Sequence, residues 1–81
     1  MIWYVYIVKC RDKSLYTGIT IDIDRRIGEH NNGKGAKSLL GKRPVKLKYF
    51  ERFNNRKNAM KREIEIKSWD REMKLKLIQG H

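Results

Sequence analysis

The chain has 81 residues, of which 20 are Lys or Arg and 9 are Asp or Glu, so its formal net charge is +11. This length leaves room for one thin core, and we expect a single domain over residues 1–81. No apolar run approaches the ~20 residues that span a bilayer and the start lacks a basic n-region, so we expect a cytoplasmic protein with no membrane contact.

The few metal-binding and redox-active residues narrow the options further. Cys10 is the only cysteine and His30 and His81 are the only histidines, which excludes an internal disulfide and a Cys/His zinc site. Most of the positive charge falls in residues 41–81. A surplus of this size favours a polyanionic partner, because Lys and Arg contacts to phosphates supply most non-specific affinity for nucleic acid.

Two short strands open the chain. Residues 2–9 are β-branched and aromatic and apolar on both faces, which predicts a central strand that is covered on both sides. A polar turn leads to a second strand over residues 15–20, so an antiparallel hairpin is the shortest connection. Gly18 in that strand indicates a bulge or a close approach to the backbone. A tight turn across residues 10–13 would place Tyr6 opposite Tyr16.

A helix and a loop follow the hairpin. Thr20 or Asp22 can cap a helix that ends near Asn31. Residues 33–37 are predicted to form a mobile basic loop, followed by a short helical turn over residues 38–40.

One more strand and two helices complete the chain. Residues 45–50 alternate as an edge strand with flanking cations would. Asn54 or Asn55 can cap a helix through about Ser68, and Asp70 can cap a last helix with a buried stripe of Met73, Leu77 and Ile78. The predicted fold class is α+β, a three-stranded antiparallel sheet flanked by helices in the order β-β-α-β-α-α.

Two helices carry polar side chains on apolar faces. The apolar arc of the helix after Asn55 consists of Ala59, Met60, Ile64 and Ile66. Glu63 falls inside that arc, whereas Glu65 points the other way. A carboxylate that faces the core is costly without a compensating cation or hydrogen bonds, so Glu63 is either part of an ion pair or a ligand of a metal.

On the first helix, Arg26 and His30 lie one turn apart at the border of the face that packs on the sheet, whereas Arg25 points to solvent. Arg binds phosphate through paired N–H groups, and an imidazole transfers protons near neutral pH. A structural hydrogen bond is the alternative role for His30. Tyr6 and Tyr16 either pack as aromatic neighbours or line a ligand site, for which Gly18 leaves room.

Together these residues resemble a known family. Tyr4-Val5-Tyr6, Tyr16-Thr17-Gly18, Arg26 with His30 one turn later, and Glu63 in a later helix resemble the GIY-YIG nuclease domain over nearly the whole chain. The chain looks most similar to small stand-alone members, which are similar to the amino-terminal nuclease domain of the excision-repair incision subunit. The resemblance implies a three-stranded antiparallel sheet and metal-assisted cleavage of a DNA phosphodiester.

The resemblance also assigns roles. It implies that Tyr6, Tyr16, Arg26 and His30 are catalytic, with one of the tyrosines taking a proton from water directly or through His30. It makes Gly18 the glycine of the second motif and Glu63 the ligand of one weakly bound Mg²⁺ or Mn²⁺. Tyr4 stands at the first motif's glycine, and no asparagine follows Asn58, although many family nucleases have one after the glutamate helix.

The leading expectation is a metal-dependent DNA endonuclease of low sequence specificity, with activity that is weak or directed by a recruiting protein of unknown identity, and with branched or nicked DNA as candidate substrates. The alternative is a nucleic-acid-binding module on the same fold that cleaves weakly or not at all, which the missing asparagine favours. An RNA- or ribosome-associated protein rests on size and charge alone. Loop cations are the expected contacts to the nucleic-acid backbone, namely Lys34, Lys37, Lys42 and Arg43.

Overall fold

The structure is a computed structural model that describes residues 1–80. Its elements in chain order are β1 (Trp3–Lys9), β2 (Leu15–Thr20), α1 (Ile23–Asn31), a 3-10 helix (Lys37–Lys42), β3 (Lys46–Phe53), α2 (Arg56–Lys67) and α3 (Arg71–Gln79). The strands form one antiparallel sheet in the order β2-β1-β3, which confirms the predicted fold class and the edge position of the third strand. Within residues 1–80 no helix is long and apolar enough to cross a bilayer.

Strand β1 is buried on both faces, as its sequence predicts. On one face Tyr6 and Val8 belong to a core cluster that α1 and the 3-10 helix cover. On the other face Val5 and Ile7 pack against Ala59 and other residues of α2 and α3. The sheet is therefore a middle layer, and each helical layer is held to it by alternate side chains of one strand.

The helix starts follow the predicted capping residues. The Asp22 side chain accepts a hydrogen bond from the Arg25 amide at the start of α1, and Asn55 and Asp70 cap α2 and α3 in the same way. In α3, Leu77 and Ile78 pack on the sheet. Met73 is 46% exposed, so its predicted place in a buried stripe is wrong. The reason is that α3 packs through its last turns, and its first turn lies outside the core.

The hairpin register differs from the predicted one by two residues. Tyr6 pairs with Gly18, and Tyr16 pairs with Val8, so Tyr6 does not face Tyr16 directly. The turn is longer than expected, because the Cys10 amide bonds to the Ser14 carbonyl and Lys13 takes a left-handed conformation with φ 70°. A shift of two residues leaves every side chain on its predicted face, since the side-chain period of a strand is two.

Strand β3 contains an irregularity in its pairing with β1. Ile7 pairs with Tyr49 and Val8 with Leu47, so Lys48 is left without a partner residue. Beyond this bulge, Lys46 lies directly opposite Lys9. The strand also runs three residues further than the sequence predicts, to Phe53.

Helix α2 packs on the sheet along a narrower line than its apolar arc predicts. Ala59 and Ile66 are fully buried, two turns apart, whereas Ile64 is 64% exposed. The predicted burial of Ile64 is therefore wrong. The small side chain of Ala59 lets the helix axis come close to the sheet, and the flank that carries Met60 and Ile64 turns outwards.

Candidate functional site

A buried hydrogen bond joins the sheet to α1 at the centre of the candidate site. The Tyr6 hydroxyl lies 2.8 Å from Nε2 of His30, and both residues are only 1% exposed. β1 supplies the phenol and the last turn of α1 supplies the imidazole. Because an unpaired polar group would be costly at this depth, the bond fixes both side chains.

The other imidazole nitrogen determines the direction of that bond. Nδ1 of His30 accepts a hydrogen bond from the Ala36 amide at 3.2 Å, so it carries no proton. Neutral His30 therefore has its proton on Nε2 and donates it to the Tyr6 oxygen. The hydrogen of the Tyr6 hydroxyl is thereby left for another acceptor.

Two glycines permit the close approach of these rings. A Cβ on Gly18 would lie 2.6 Å from the Tyr6 hydroxyl oxygen. A Cβ on Gly35 would lie 2.1 Å from Nδ1 of His30, so the predicted basic loop packs closely on the imidazole. Both positions need glycine for the same physical reason, which is that no side chain fits against the buried ring.

Tyr16 completes a group of three rings. Its ring centroid lies 6.4 Å from that of Tyr6 and 5.5 Å from that of His30, with an edge-to-face angle of 72° to the imidazole. The diagonal position across the strands explains why the two phenols are neighbours despite the shifted register. Tyr16 is half-buried, so it is more accessible to solvent than Tyr6.

Arg26 places a positive charge beside this group. Its Nη1 donates to Oε1 of Glu29 at 2.9 Å, and its side chain is half-buried. The guanidinium interacts with Tyr6, where it favours the ionised phenol. The sequence-based distinction between Arg26 and Arg25 agrees with this placement, since Arg25 is exposed.

Burial decides the ionisation of the two innermost groups. Burial and, next, the Tyr16 phenol raise the pKa of Tyr6 to about 12, and Arg26 offsets part of this rise. Burial also lowers the pKa of His30 below its usual value, and the Arg26 charge lowers that pKa further. At pH 7 Tyr6 is therefore a neutral phenol and His30 a neutral imidazole.

Glu63 approaches the site from α2. Its side chain is only 18% exposed and its Oε2 lies 3.4 Å from Nζ of Lys67, whereas the Glu65 side chain is 55% exposed. The Glu63 charge contributes to the raised pKa of Tyr6, which places it within electrostatic reach of the phenol. The helical-wheel distinction between these two glutamates agrees with the structure.

Glu63 is also the candidate metal ligand. Within residues 1–80, no group of three or more His, Cys, Asp or Glu side chains is arranged to hold a metal ion. A lone, partly exposed carboxylate fits Mg²⁺, which commonly keeps several waters and uses one or two carboxylates together with substrate phosphates. The residues present therefore fit one weakly bound ion that is completed by water and substrate.

The predicted loop cations have unequal freedom. Lys34 and Lys37 are exposed. Nζ of Lys42 lies 3.9 Å from Oδ2 of Asp12, at the outer limit of an ion pair. Arg43 instead hydrogen-bonds to the backbone carbonyls of Leu40 and Asn31, so part of its guanidinium holds the loop in place.

Sequence reasoning missed a second group of cations. A cleft of about 360 Å³ opens where β1 ends and β3 begins, and it is lined by Lys9, Cys10, Arg11, Lys13, Pro44, Lys46 and Lys48. We call this cleft the β3 cleft, and its five cations are Lys9, Arg11, Lys13, Lys46 and Lys48. None of the five forms an ion pair with a residue in the described part of the chain. They escaped notice because they are scattered along the sequence and meet only through the register of β1 with β3.

Glu29 and Gly35 were missed as well. The spacing of Glu29, three residues after Arg26 on one helix, is a signal that could have identified it. Gly35 gives no such signal, because its contact with His30 depends on the path of the loop.

Comparisons with known proteins identify relatives over almost the whole chain. The family profile described as the GIY-YIG catalytic domain matches residues 2–76. A UPF0213 protein of Staphylococcus saprophyticus is 57% identical over 75 residues, which cover 93% of this chain and 92% of the relative. A UPF0213 protein of Clostridium perfringens is 56% identical over 77 residues, which cover 95% and 83%.

Solved structures agree with the fold. The solution NMR structure of a UPF0213 protein from Bacillus halodurans is 44% identical with a TM-score of 0.63, and the match covers 98% of this chain and 84% of that one. The solution NMR structure of a protein from E. faecalis is 38% identical with a TM-score of 0.67, over 99% and 85%.

The close approach at Gly18 predicts a specific sensitivity. Gly18→Ala should lower the free energy of unfolding by about 1–3 kcal/mol, because the added methyl group displaces the buried phenol. Gly28→Ala is the control, since apart from the adjacent helix backbone nothing lies within 4 Å of its Cβ position, and alanine favours a helix by about 0.5–1 kcal/mol. Urea denaturation measures both. Equal stabilities of the two variants would contradict the packing described for Tyr6.

The lowered pKa of His30 predicts an acid-sensitive fold. Below the unfolded-state value of 6.5, the unfolded chain binds a proton that native His30 refuses, so stability falls as pH drops from 6.5 through the lowered native pKa. The slope attributable to this group is at most about 1.4 kcal/mol per pH unit, the value for one proton. His30→Gln keeps a donor for Tyr6 and should remove that part of the slope in denaturation curves between pH 7 and 5. A variant with the wild-type slope would show that another group is responsible.

Proposed function

Because this chain belongs to the GIY-YIG family of nucleases, we propose that it is a metal-dependent endonuclease that hydrolyses DNA phosphodiester bonds with low sequence specificity. The observation that supports this most directly is the grouping of Tyr6, Tyr16, His30 and Arg26 on one face of the sheet, with the Glu63 charge acting on the same phenol. These residues come from four elements, namely β1, β2, α1 and α2. A phosphate, an attacking water and a metal are the ligands that such a set of groups suits.

The protonation state and exposure of each group suggest its role in the reaction. Tyr6, with its pKa raised to about 12, is a poor base and a suitable hydrogen-bond donor. His30 is a poor relay, because Ala36 occupies Nδ1 and Nε2 already carries a proton. Tyr16 is the remaining phenol, and its partial exposure lets water reach it. We therefore assign the general base to Tyr16 and the orientation of Tyr6 to His30.

In the proposed reaction, Tyr16 first releases its hydroxyl proton to solvent, and the resulting phenolate takes a proton from water as the water oxygen bonds to phosphorus. The bond from phosphorus to the departing oxygen breaks, and that oxygen takes its proton from solvent. Arg26 stabilises the negative charge on the phosphoryl oxygens, and Glu29 occupies only one nitrogen of its guanidinium, Nη1. When bound at Glu63, Mg²⁺ or Mn²⁺ would act as a Lewis acid for the departing oxygen.

The alternative is a binding module that does not cleave. Glu63 is a lone carboxylate that already pairs with Lys67, so a metal must displace or share that ammonium group. The β3 cleft would serve such a module equally well, because phosphate binding needs no catalytic group.

A cleavage assay with paired variants tests the enzyme. Glu63→Gln and Arg26→Lys should each lower the rate by about 100-fold or more, whereas Glu65→Gln and Arg25→Lys, on the same helices, should keep it. Tyr16→Phe should cost more than Tyr6→Phe, since only the first removes the base. Cleavage should require added Mg²⁺ or Mn²⁺ and stop with a chelator.

Three results of that assay are decisive. Activity that persists in Glu63→Gln and Arg26→Lys would arise from another site or another protein. Binding without cleavage of plain, nicked and branched DNA would favour the binding module. A larger loss in Tyr6→Phe would reverse the assignment of the base.

The β3 cleft predicts a salt effect. Lys46→Gln/Lys48→Gln should reduce the slope of log affinity against log salt by about 1–2 for duplex DNA, since each phosphate contact contributes roughly 0.9. Lys74→Gln/Lys76→Gln on α3 removes the same charge and should change the slope less. Fluorescence anisotropy over a range of salt concentrations measures both. Equal slopes in the two double variants would mean that only the net charge matters.

A further inference from the structure

The outward flank of α2 carries an unusual mixture of side chains. Arg56, Lys57, Met60, Lys61 and Ile64 line a groove of about 330 Å³, which we call the α2 groove. Ile64 is 64% exposed there, although it is among the most hydrophobic residues of the chain. Met60 lies one turn before Ile64, so the two form a continuous apolar strip and not scattered single residues.

The cations of the groove are not neutralised by the fold. Lys57 and Lys61 lie four residues apart on one helix, where like charges repel, and neither forms an ion pair within residues 1–80. Arg56 lies over the Trp3 ring at 5.6 Å. An apolar strip flanked by three uncompensated cations is complementary to a ligand that is both anionic and apolar.

The groove adjoins the candidate site. Glu63 is next to Ile64 in sequence and about one turn beyond Met60, and its charge acts on Tyr6. A nucleic-acid strand whose phosphate lies at Arg26 and Glu63 would therefore reach the α2 groove with its neighbouring nucleotides.

We propose that the α2 groove binds an unpaired nucleotide of a DNA strand beside the reacting phosphate. The cations contact its phosphates, and its base packs on Met60 and Ile64. An intact duplex presents phosphates and sugars outwards and keeps its base faces stacked, so it gains little from an apolar strip. A bulge, a nick or a duplex end presents base faces, and Ile and Met are among the apolar side chains that proteins place against unstacked base steps. The preferred substrate is therefore locally unpaired DNA.

This inference rests on the proposed function, from which it takes DNA as the ligand and the position of the reacting phosphate. It is tested by binding without divalent metal, in which no cleavage occurs. An intact duplex and the same duplex with a small bulge are titrated by fluorescence anisotropy, and 2-aminopurine in the bulge reports on stacking of the base. The wild-type protein should bind the bulged duplex at least about 5-fold more tightly.

Matched variants separate the apolar strip from the charge. Ile64→Gln should abolish the preference for the bulge and the change in 2-aminopurine fluorescence, whereas Met73→Gln, an equally conservative change at an exposed methionine of α3, should keep both. Lys57→Gln/Lys61→Gln should weaken binding of both duplexes by the same factor. Circular dichroism checks that each variant is folded, which the exposure of these residues favours.

The proposal would be overturned if the wild-type protein showed no preference for the bulged duplex, or if Ile64→Gln and Met73→Gln behaved alike. It would also be overturned by self-association that Ile64→Gln abolishes, because the groove would then be a contact between copies of the chain. A bulge preference that depends on Ile64 in a protein that never cleaves would support the groove and refute the nuclease. Cleavage that does not depend on Ile64 would support the nuclease and refute the groove.

Discussion

The hydrogen bond between Tyr6 and His30 is the constraint on which the candidate site depends. It is fully buried, it links the central strand to α1, and the Ala36 amide fixes its direction. Positions 18 and 35 need glycine because the two rings occupy the space that a larger side chain would fill. The loop that follows α1 is thus part of the site's architecture, since moving it would release the imidazole tautomer and with it the orientation of the phenol.

Much of the fold could be predicted because local signals agree with one another. The double-sided apolar pattern of residues 2–9 identified a central strand, and Asp22, Asn55 and Asp70 identified helix starts, since capping is decided within a few residues. Helix geometry alone also distinguished Arg26 from Arg25 and Glu63 from Glu65, and Arg26 lies beside the group of Tyr6, Tyr16 and His30.

The errors share a different physical origin. The hairpin register depends on the left-handed conformation of Lys13, and the exposure of Ile64 and Met73 depends on where each helix rests on the sheet. These features depend on packing across the whole molecule, and a helical wheel or a turn length describes only local sequence. The contact of Gly35 with His30 and the grouping of cations around the β3 cleft belong to the same class.

The acidic residues explain why so much positive charge stays available. Asp22 and Asp70 cap helices, Asp12 binds Ser14 in the hairpin turn, and the glutamates form ion pairs with Arg26, Arg62, Lys67 and Lys76. Most acids therefore stabilise local structure. The remaining cations lie on surfaces, where their repulsion is a cost that a bound polyanion would relieve.

The bulged edge strand has one more consequence. An open strand edge invites pairing with other chains, and lysines along it are a common protection against this. Lys46 and Lys48 therefore also protect the edge strand from aggregation, independently of any ligand. Any affinity of these lysines for a ligand would thus be coupled to solubility, because replacing them with neutral residues would weaken both.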